Sequence, residues 1–454
     1  MASAFFSDLL SSIADRTRML LRRREWNVDP AQRAASLVEL SDALVSGRGE
    51  ASGMALAAEI LDRYQELDAD ARLTFFEALA EKFGPDEERL HKAVEAWQRS
   101  PGADRSADLH FVSEPRRQEF FRRLNRAPGA TAALVRMRAD LIALRGSHPA
   151  LMPVDRDLAH LLASWFNRGF LVLRRIDWST PAIVLEKIIR YEAVHEIHDW
   201  EDLRRRIDPQ DRRCYAFFHP ALVDEPLIFV EVALTEDMPS AIAPLLAADR
   251  TPTLIARART ATFYSISNCQ RGLRGISFGS FLIKQVVEEL QRELPKLETF
   301  VTLSPAPEFT VWLTSHPNLL SPEDVVRLEN PDGRWADDVE EANRLRRVIE
   351  PLAADYFLRA KTDDGRPVDP VARFHLGNGA RLERLNWLGD SSPRAMRESA
   401  GLMVNYLYDL DEIEKNHEAY ANQGEIIAAN AVRRLLRIEA RPRLLSAAPG
   451  ASQT

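Results

Sequence analysis

Three positions in this chain carry side chains that could move a proton or hold an anion. Ser304 ends the apolar run Phe300-Val301-Thr302-Leu303 and precedes Pro305. His375 lies between Phe374 and Leu376, just before a Gly377-Asn378-Gly379 turn. Tyr406 and Tyr408 close an apolar run that starts at Gly401. A hydroxyl can orient an anion or relay a proton, and histidine is the natural proton donor near neutral pH. A phenol can donate a hydrogen bond. Each position also has a plainer reading. Ser-Pro starts turns, a histidine beside a glycine turn is commonly a hydrogen-bonded structural group, and tyrosines in apolar runs commonly pack.

A fourth candidate is the stretch Gln270–Gly279, with glycines at 272, 275 and 279. Strand formers precede it (Thr262, Phe263, Tyr264, Ile266), and an amphipathic helix with Ile283, Val287, Leu290 and Leu294 on one stripe follows. Strand, glycine loop, helix and second strand place backbone amides at a helix N-terminus, where they can hold a phosphate. No Gly-Lys-Ser/Thr ends the loop and it is not GxGxxG, so nucleotide hydrolysis and dinucleotide binding are disfavoured. Two readings remain: an anion held by main-chain amides, such as the pyrophosphate of coenzyme A, or a turn that lets helix and strand pack closely.

The elements that must position these groups change type along the chain. Residues 30–175 read almost wholly as helix, with apolar faces at Leu37, Leu40 and Leu44, at Met54, Ala57, Leu61 and Tyr64, and at Leu73, Phe76, Leu79 and Phe83. Further helices are expected over Glu114–Leu124, Ala130–Leu144 and Asp155–Phe170, and His110 and His148 stand isolated among them. Beyond this, Leu171–Ile176 fits a short strand or a helix end. Ala182–Tyr191 and Trp200–Ile207 fit helices, and Cys214–Phe218 and Leu227–Leu234 fit strands. The nearly continuous apolar run of the last suits a strand buried on both faces. Val339–Leu358 reads as one or two helices, Arg384–Leu388 as a strand, Ser399–Tyr408 as a helix or extended run, and Gln423–Arg437 as a helix.

Composition sets the limits. A chain of 454 residues is long for one core, so two domains are expected. A hydrophobic share of 45% and a charged share of 28% are ordinary for a globular protein. The net charge of -8 argues against broad nucleic-acid binding, and no apolar run is long enough to span a bilayer. Cys214 and Cys269 fit neither a zinc pattern nor a disulfide framework, which suits a reducing compartment. Near the N-terminus, Phe5, Leu9, Leu10 and Ile13 precede a run of arginines, as in a mitochondrial presequence, but Asp8, Asp15 and Glu25 interrupt it.

Longer wordings carry a resemblance. Thr262–Ser267, Gln270–Gly275 with Phe281–Lys284, Leu303–Phe309, Ala372–Ala380, His219–Thr235 and Gly401–Tyr408 resemble, in the same order, the malonyl-CoA decarboxylase family. The helical first part resembles it more loosely. The resemblance implies an N-terminal all-α helical domain over residues 1–172, followed by a mixed α/β catalytic domain with the acetyltransferase (GNAT-like) fold over residues 173–454. It maps the coenzyme A loop onto Gln270, Arg271, Gly272, Leu273, Arg274, Gly275 and Ile276. It places the catalytic serine on Ser304 and the catalytic histidine on His375, and implicates a tyrosine that Tyr408 matches better than Tyr406.

The reaction so implied converts malonyl-CoA to acetyl-CoA and CO2 through a thioester enolate, with no metal, biotin or other cofactor beyond the coenzyme A of the substrate. His375 is expected as proton donor and Ser304 as the group that orients the carboxylate and relays a proton. The resemblance also implies a homotetramer, with no nucleic-acid or membrane partner. Missing signals point to the cytoplasm, and to the mitochondrial matrix only if the N-terminal basic helix is a presequence. Two alternatives stay open from the residues alone: an acyltransferase of the same fold, and a non-catalytic acyl-CoA-binding scaffold.

Overall fold

The structure is a computed structural model that describes residues 30–46, 49–276, 282–329 and 334–436. The arginine-rich N-terminal stretch, Gly279 and Arg437 lie outside the described residues. The chain forms two compact units.

The first unit is helical. It comprises the described residues up to Leu171 together with residues 219–223 and 270–276. Its helices Pro30–Val45, Glu50–Gln65, Ala69–Lys82, Arg116–Leu124 and Ala130–Arg145 follow the apolar faces read from the sequence. Those faces meet in an aromatic core of Tyr64, Phe75, Phe76, Phe83, Phe120 and Phe121, all buried. Side chains of Asp68 and Asp86 cap two helices by accepting from Ala71 N and Arg89 N. Two helices the sequence pattern passed over, Glu87–Arg99 and Ala103–Ser113, bury no residue fully. Glu87–Arg99 does carry an apolar stripe at helical spacing, Leu90, Val94 and Trp97, which the sequence reading did not single out.

The second unit is built on an eight-stranded mixed sheet in the order β1-β2-β3-β4-β5-β8-β6, with β7 pairing β8. The strands are β1 (Val172–Ile176), β2 (Arg212–Phe218), β3 (Pro226–Thr235), β4 (Thr260–Asn268), β5 (Thr299–Thr302), β6 (Ser304–Pro305), β7 (Arg381–Asn386) and β8 (Met403–Leu407). β3 is buried along its length except at Thr235, as its unbroken apolar run required. Helices Ala182–Tyr191 and Trp200–Ile207 cover one face through Val184, Leu185, Ile188, Leu203 and Ile207.

The site depends on how β5 ends. β4 and β5 run parallel, joined through the helix Leu282–Glu293, and Phe263 lies opposite Thr302. The ladder closes when Leu303 N donates to Phe263 O at 2.9 Å. The chain then shifts partner: Ser304 pairs with Val404 and Pro305 with Met403, while Val301 pairs with Leu407. β8 therefore spans the end of β5 and the start of β6. Residues two apart share a face of the sheet. Leu303 and Met403 pack with Ala233 and Tyr264 on one face, while Thr302 and Ser304 meet on the other.

The segment around His375, given no element from the sequence, forms the helix Pro370–Gly377. Two expectations change. Ser399–Tyr408 resolves into the end of the helix Pro393–Ser399 and strand β8. The tail is not one helix: Ile413–Gln423 ends at Gly424, which takes φ +65°, and only Asn430–Leu435 turns helical again. A glycine in the left-handed region is a common helix stop.

Candidate active site

His375 is fixed from both ends of its short helix. Asp369 caps the N-terminus by accepting from Ala372 N at 2.7 Å, and Pro370 takes the first helical position. Tyr356, on the long helix Val339–Leu358, donates to the same carboxylate at 3.2 Å. Burial pushes the Asp369 pKa up to about 6. At the other end Gly379 takes φ +82°, and a Cβ there would stand 2.0 Å from the Ile413 carbonyl oxygen. Only glycine fits, so the exit from the His375 helix into β7 has one path.

The three candidate residues come together. Tyr408 Oη lies 2.8 Å from His375 Nδ1, and His375 Nε2 lies 3.1 Å from Ser304 Oγ. Ser304 Oγ in turn donates to Thr302 Oγ1 at 2.9 Å. Ser304 is 6% exposed, His375 2% and Tyr408 1%, so this chain of polar groups is shielded from bulk water. The Tyr406 side chain does not join it by hydrogen bond, although its backbone amide donates to Thr302 Oγ1 at 3.1 Å. Its ring stacks on the His375 imidazole, with centroids 4.6 Å apart and planes at 24°, while its buried hydroxyl finds no partner among the described residues.

Charge decides what the arrangement can do. Burial drives the His375 pKa down to about 3 and holds the Tyr408 phenol well above its ordinary value. The imidazole is therefore neutral near pH 7 and holds one proton between two hydroxyl neighbours. Nδ1 faces a phenol where a nucleophilic triad would present a carboxylate to stabilise an imidazolium. Serine as a covalent nucleophile is poorly supported by such a partner. A neutral hydroxyl–imidazole–phenol chain is suited to passing a proton.

The glycine loop sits in the first unit. Arg271–Leu273 form a single 3-10 turn, and Gly275 takes φ +79°. Gly272 has a packing reason of its own: a Cβ would stand 1.8 Å from the Val135 carbonyl oxygen on the Ala130–Arg145 helix. Arg138 of that helix donates to the carbonyls of Gly272 at 2.7 Å and Arg274 at 3.0 Å, and its Nε reaches Asp155 at 2.9 Å. Within the loop the amides of Leu273, Arg274 and Ile276 are already bonded to Gln270, Arg271 and Leu273 carbonyls. Arg271, Arg274 and Gly275 are exposed, whereas Gly272, Leu273 and Ile276 are buried. The join to the next helix, residues 277–281, lies outside the described residues.

Sequence reasoning missed Thr302, read only as a strand residue. The available signal was its place two residues before Ser304, hence on the same face of an extended chain. It also missed the Asp369-Pro370 cap, although that pair is a helix-start signature. Among the described residues no cluster of His, Cys, Asp or Glu has the grouping of a metal site, and both cysteines are free and buried. Nor is any described helix long and apolar enough to cross a membrane.

Comparison with known proteins bears on the family of the whole chain. Residues 169–446 match the family profile of the malonyl-CoA decarboxylase C-terminal domain, and residues 83–166 that of the N-terminal domain. The mitochondrial malonyl-CoA decarboxylase of Anser anser anser is 36% identical over 420 residues, covering 83% of this chain and 82% of the relative. That of Rattus norvegicus is 35% identical over 355 residues, covering 71% and 72%. The crystal structure of malonyl-CoA decarboxylase from Rhodopseudomonas palustris superposes with a TM-score of 0.84 at 60% identity, over 88% of this chain and 99% of that one. The enzyme from Agrobacterium vitis gives 0.83 at 56%, with the same coverage.

Proposed function

The chain belongs to the malonyl-CoA decarboxylase family of carboxy-lyases, and from that premise we propose that Ser304, His375 and Tyr408 carry its reaction. Malonyl-CoA holds a carboxylate beta to a thioester carbonyl, so losing CO2 leaves an enolate whose charge rests on the thioester oxygen. That electron sink is part of the substrate, and the reading requires no metal, biotin or pyridoxal. The protein must align the breaking bond with the carbonyl π system, stabilise the oxyanion and return a proton to C2.

Ser304 is the group that meets the substrate. Its hydroxyl orients the carboxylate without pairing it to a cation, which would favour the ground state. A thioester enolate is a strong carbon base and can take a proton from a neutral hydroxyl. As the C2–H bond forms, the Ser304 O–H bond breaks and the His375 Nε2 proton passes to Ser304 Oγ. Tyr408 passes its proton to Nδ1; after acetyl-CoA leaves, Nδ1 returns that proton to Tyr408 as water in the vacated site reprotonates Nε2 by way of Ser304, which restores the starting state. No imidazolium is formed, in keeping with a histidine whose pKa burial lowers to about 3. His375 thus serves as proton donor through Ser304. The loop Gln270–Ile276 holds the coenzyme A moiety, with the exposed Arg271 and Arg274 available to its phosphates. The homotetramer and the cytoplasmic site belong to the same reading.

The buried Tyr408–His375–Ser304 hydrogen-bond chain is the observation that carries this reading. Purified protein incubated with malonyl-CoA, after dialysis against EDTA and with no acyl acceptor, is expected to form acetyl-CoA and CO2 in equal amounts. An acyltransferase would instead release free coenzyme A only when an amine acceptor is added, and a scaffold would form neither product.

A further inference from the structure

The polarity of the buried chain can be worked out from its ends, and it gives a role to a residue outside the catalytic three. Tyr408 is 1% exposed, and His375 Nδ1 is the one hydrogen-bond acceptor that the described residues offer its hydroxyl. A buried phenol without another acceptor must donate there. Nδ1 is then unprotonated, and a neutral imidazole with a bare Nδ1 carries its proton on Nε2. That N–H faces Ser304 Oγ at 3.1 Å and donates to it. Ser304 cannot send its own proton back to the histidine. Its other polar neighbour is Thr302 Oγ1, at 2.9 Å.

Thr302 is built to receive it. Its side chain is fully buried, and its Oγ1 also accepts from the Tyr406 amide at 3.1 Å, a donor that cannot reverse. Asn405 Nδ2 donates to the Thr302 carbonyl at 2.7 Å and holds the backbone in place. The strand shift between Thr302 and Ser304 keeps both hydroxyls on one face of the sheet.

Resting on the catalytic reading above, we propose that Thr302 is a positioning residue that parks the Ser304 proton, fixing the order Tyr408 to His375 to Ser304 to Thr302 and the Nε2–H tautomer of His375. In this state every proton points the same way along the chain. When malonyl-CoA binds, the Ser304 O–H turns from Thr302 to the carboxylate and, as the C2 carbanion develops, to C2, while the Nε2 proton stays aimed at the oxygen left behind. Removing the Thr302 hydroxyl leaves the Ser304 proton no acceptor but Nε2. Tyr408 and Ser304 then compete for the one bare imidazole nitrogen, and to the extent that Ser304 wins, the proton moves to Nδ1 and the chain is set in the wrong direction for delivery.

The test combines kinetics with a direct view of the tautomer. Thr302→Val is expected to lower kcat for malonyl-CoA decarboxylation by about 10- to 100-fold with KM changed less than about threefold, and Thr302→Ser to restore most of the loss. Nitrogen-15 NMR of the imidazole is expected to show Nε2–H in the native enzyme and a gain of Nδ1–H in Thr302→Val. Wild-type kcat in Thr302→Val, or an Nδ1–H imidazole in the native enzyme, overturns the proposal. The native spectrum decides even if Thr302→Val does not fold. Ser304→Ala assayed alongside separates the two levels. If it is inactive while Thr302→Val is fully active, the parking role fails alone; if it keeps full activity, the relay itself fails.

Discussion

A histidine held neutral between a serine and a tyrosine is an unusual acid. Its usefulness comes from the base it serves, since a thioester enolate needs no imidazolium to capture a proton. The environment is consistent with this. Apolar and aromatic groups, Tyr406 stacked on the ring and Phe374 at its edge, surround His375 with no carboxylate to hold a positive charge. In the proposed mechanism Tyr408 is the reservoir behind the relay. In Tyr408→Phe the ring contact to Phe263 persists and the Nδ1 donor is lost. We expect kcat to fall about tenfold with KM nearly unchanged, the size of one hydrogen bond, measured as the initial rate of acetyl-CoA formation. A large rise in KM with unchanged kcat would place Tyr408 in ground-state binding instead.

Elements hold these residues in register, and glycines set two of the limits. Gly379 combines φ +82° with a carbonyl contact that leaves no room for a methyl group. Gly379→Ala is expected to cost at least about 2 kcal/mol in urea denaturation and to lower activity, because it moves the exit of the His375 helix against the Ile413–Gln423 helix. Gly275→Ala, where φ is +79° but the space is open, is expected to be milder. Much of this level was legible beforehand. The helices Ala182–Tyr191 and Trp200–Ile207 and the strands around Phe217, Val230 and Phe263 follow from periodicity. The His375 helix was obscured because Gly377-Asn378-Gly379 dominated the local pattern and outweighed the Asp369-Pro370 start. The meeting of Ser304, His375 and Tyr408 was not legible from local pattern at all. It arises from the pairing of β8 with both β5 and β6, and strand partners distant in sequence leave no periodic mark. Wording shared with a family supplied those residues. The part of Gly272 that sequence read as an anion loop turned out to include a packing demand from Val135.

At the scale of the whole molecule, the second unit carries a buried polar network on the face opposite Ser304. Arg206 reaches Glu231 at 3.3 Å and Asp202 at 3.2 Å, and the Glu192 carboxylate accepts from Ser265 and Ser267. His195, beside this network, has no partner for Nε2 among the described residues, and burial lowers its pKa to about 4. A histidine whose folded pKa lies below its ordinary value binds fewer protons folded than unfolded. Its contribution to stability is whole above the ordinary histidine pKa of about 6.5 and is lost as pH falls toward about 4. The native protein should therefore lose stability relative to His195→Gln as pH is lowered from about 7 to about 5, read as the gap between their urea midpoints; a gap constant with pH would remove His195 from the acid response. The first unit presents its own ledger of ion pairs, with Asp155 shared by Arg138 and Arg145 to anchor the glycine loop. The account as a whole stands on the buried relay. Its most direct test is kcat/KM for malonyl-CoA in Ser304→Ala, with the fold verified by the urea midpoint. The account predicts a fall of at least about 100-fold with malonyl-CoA affinity largely kept; an unchanged kcat/KM would contradict it.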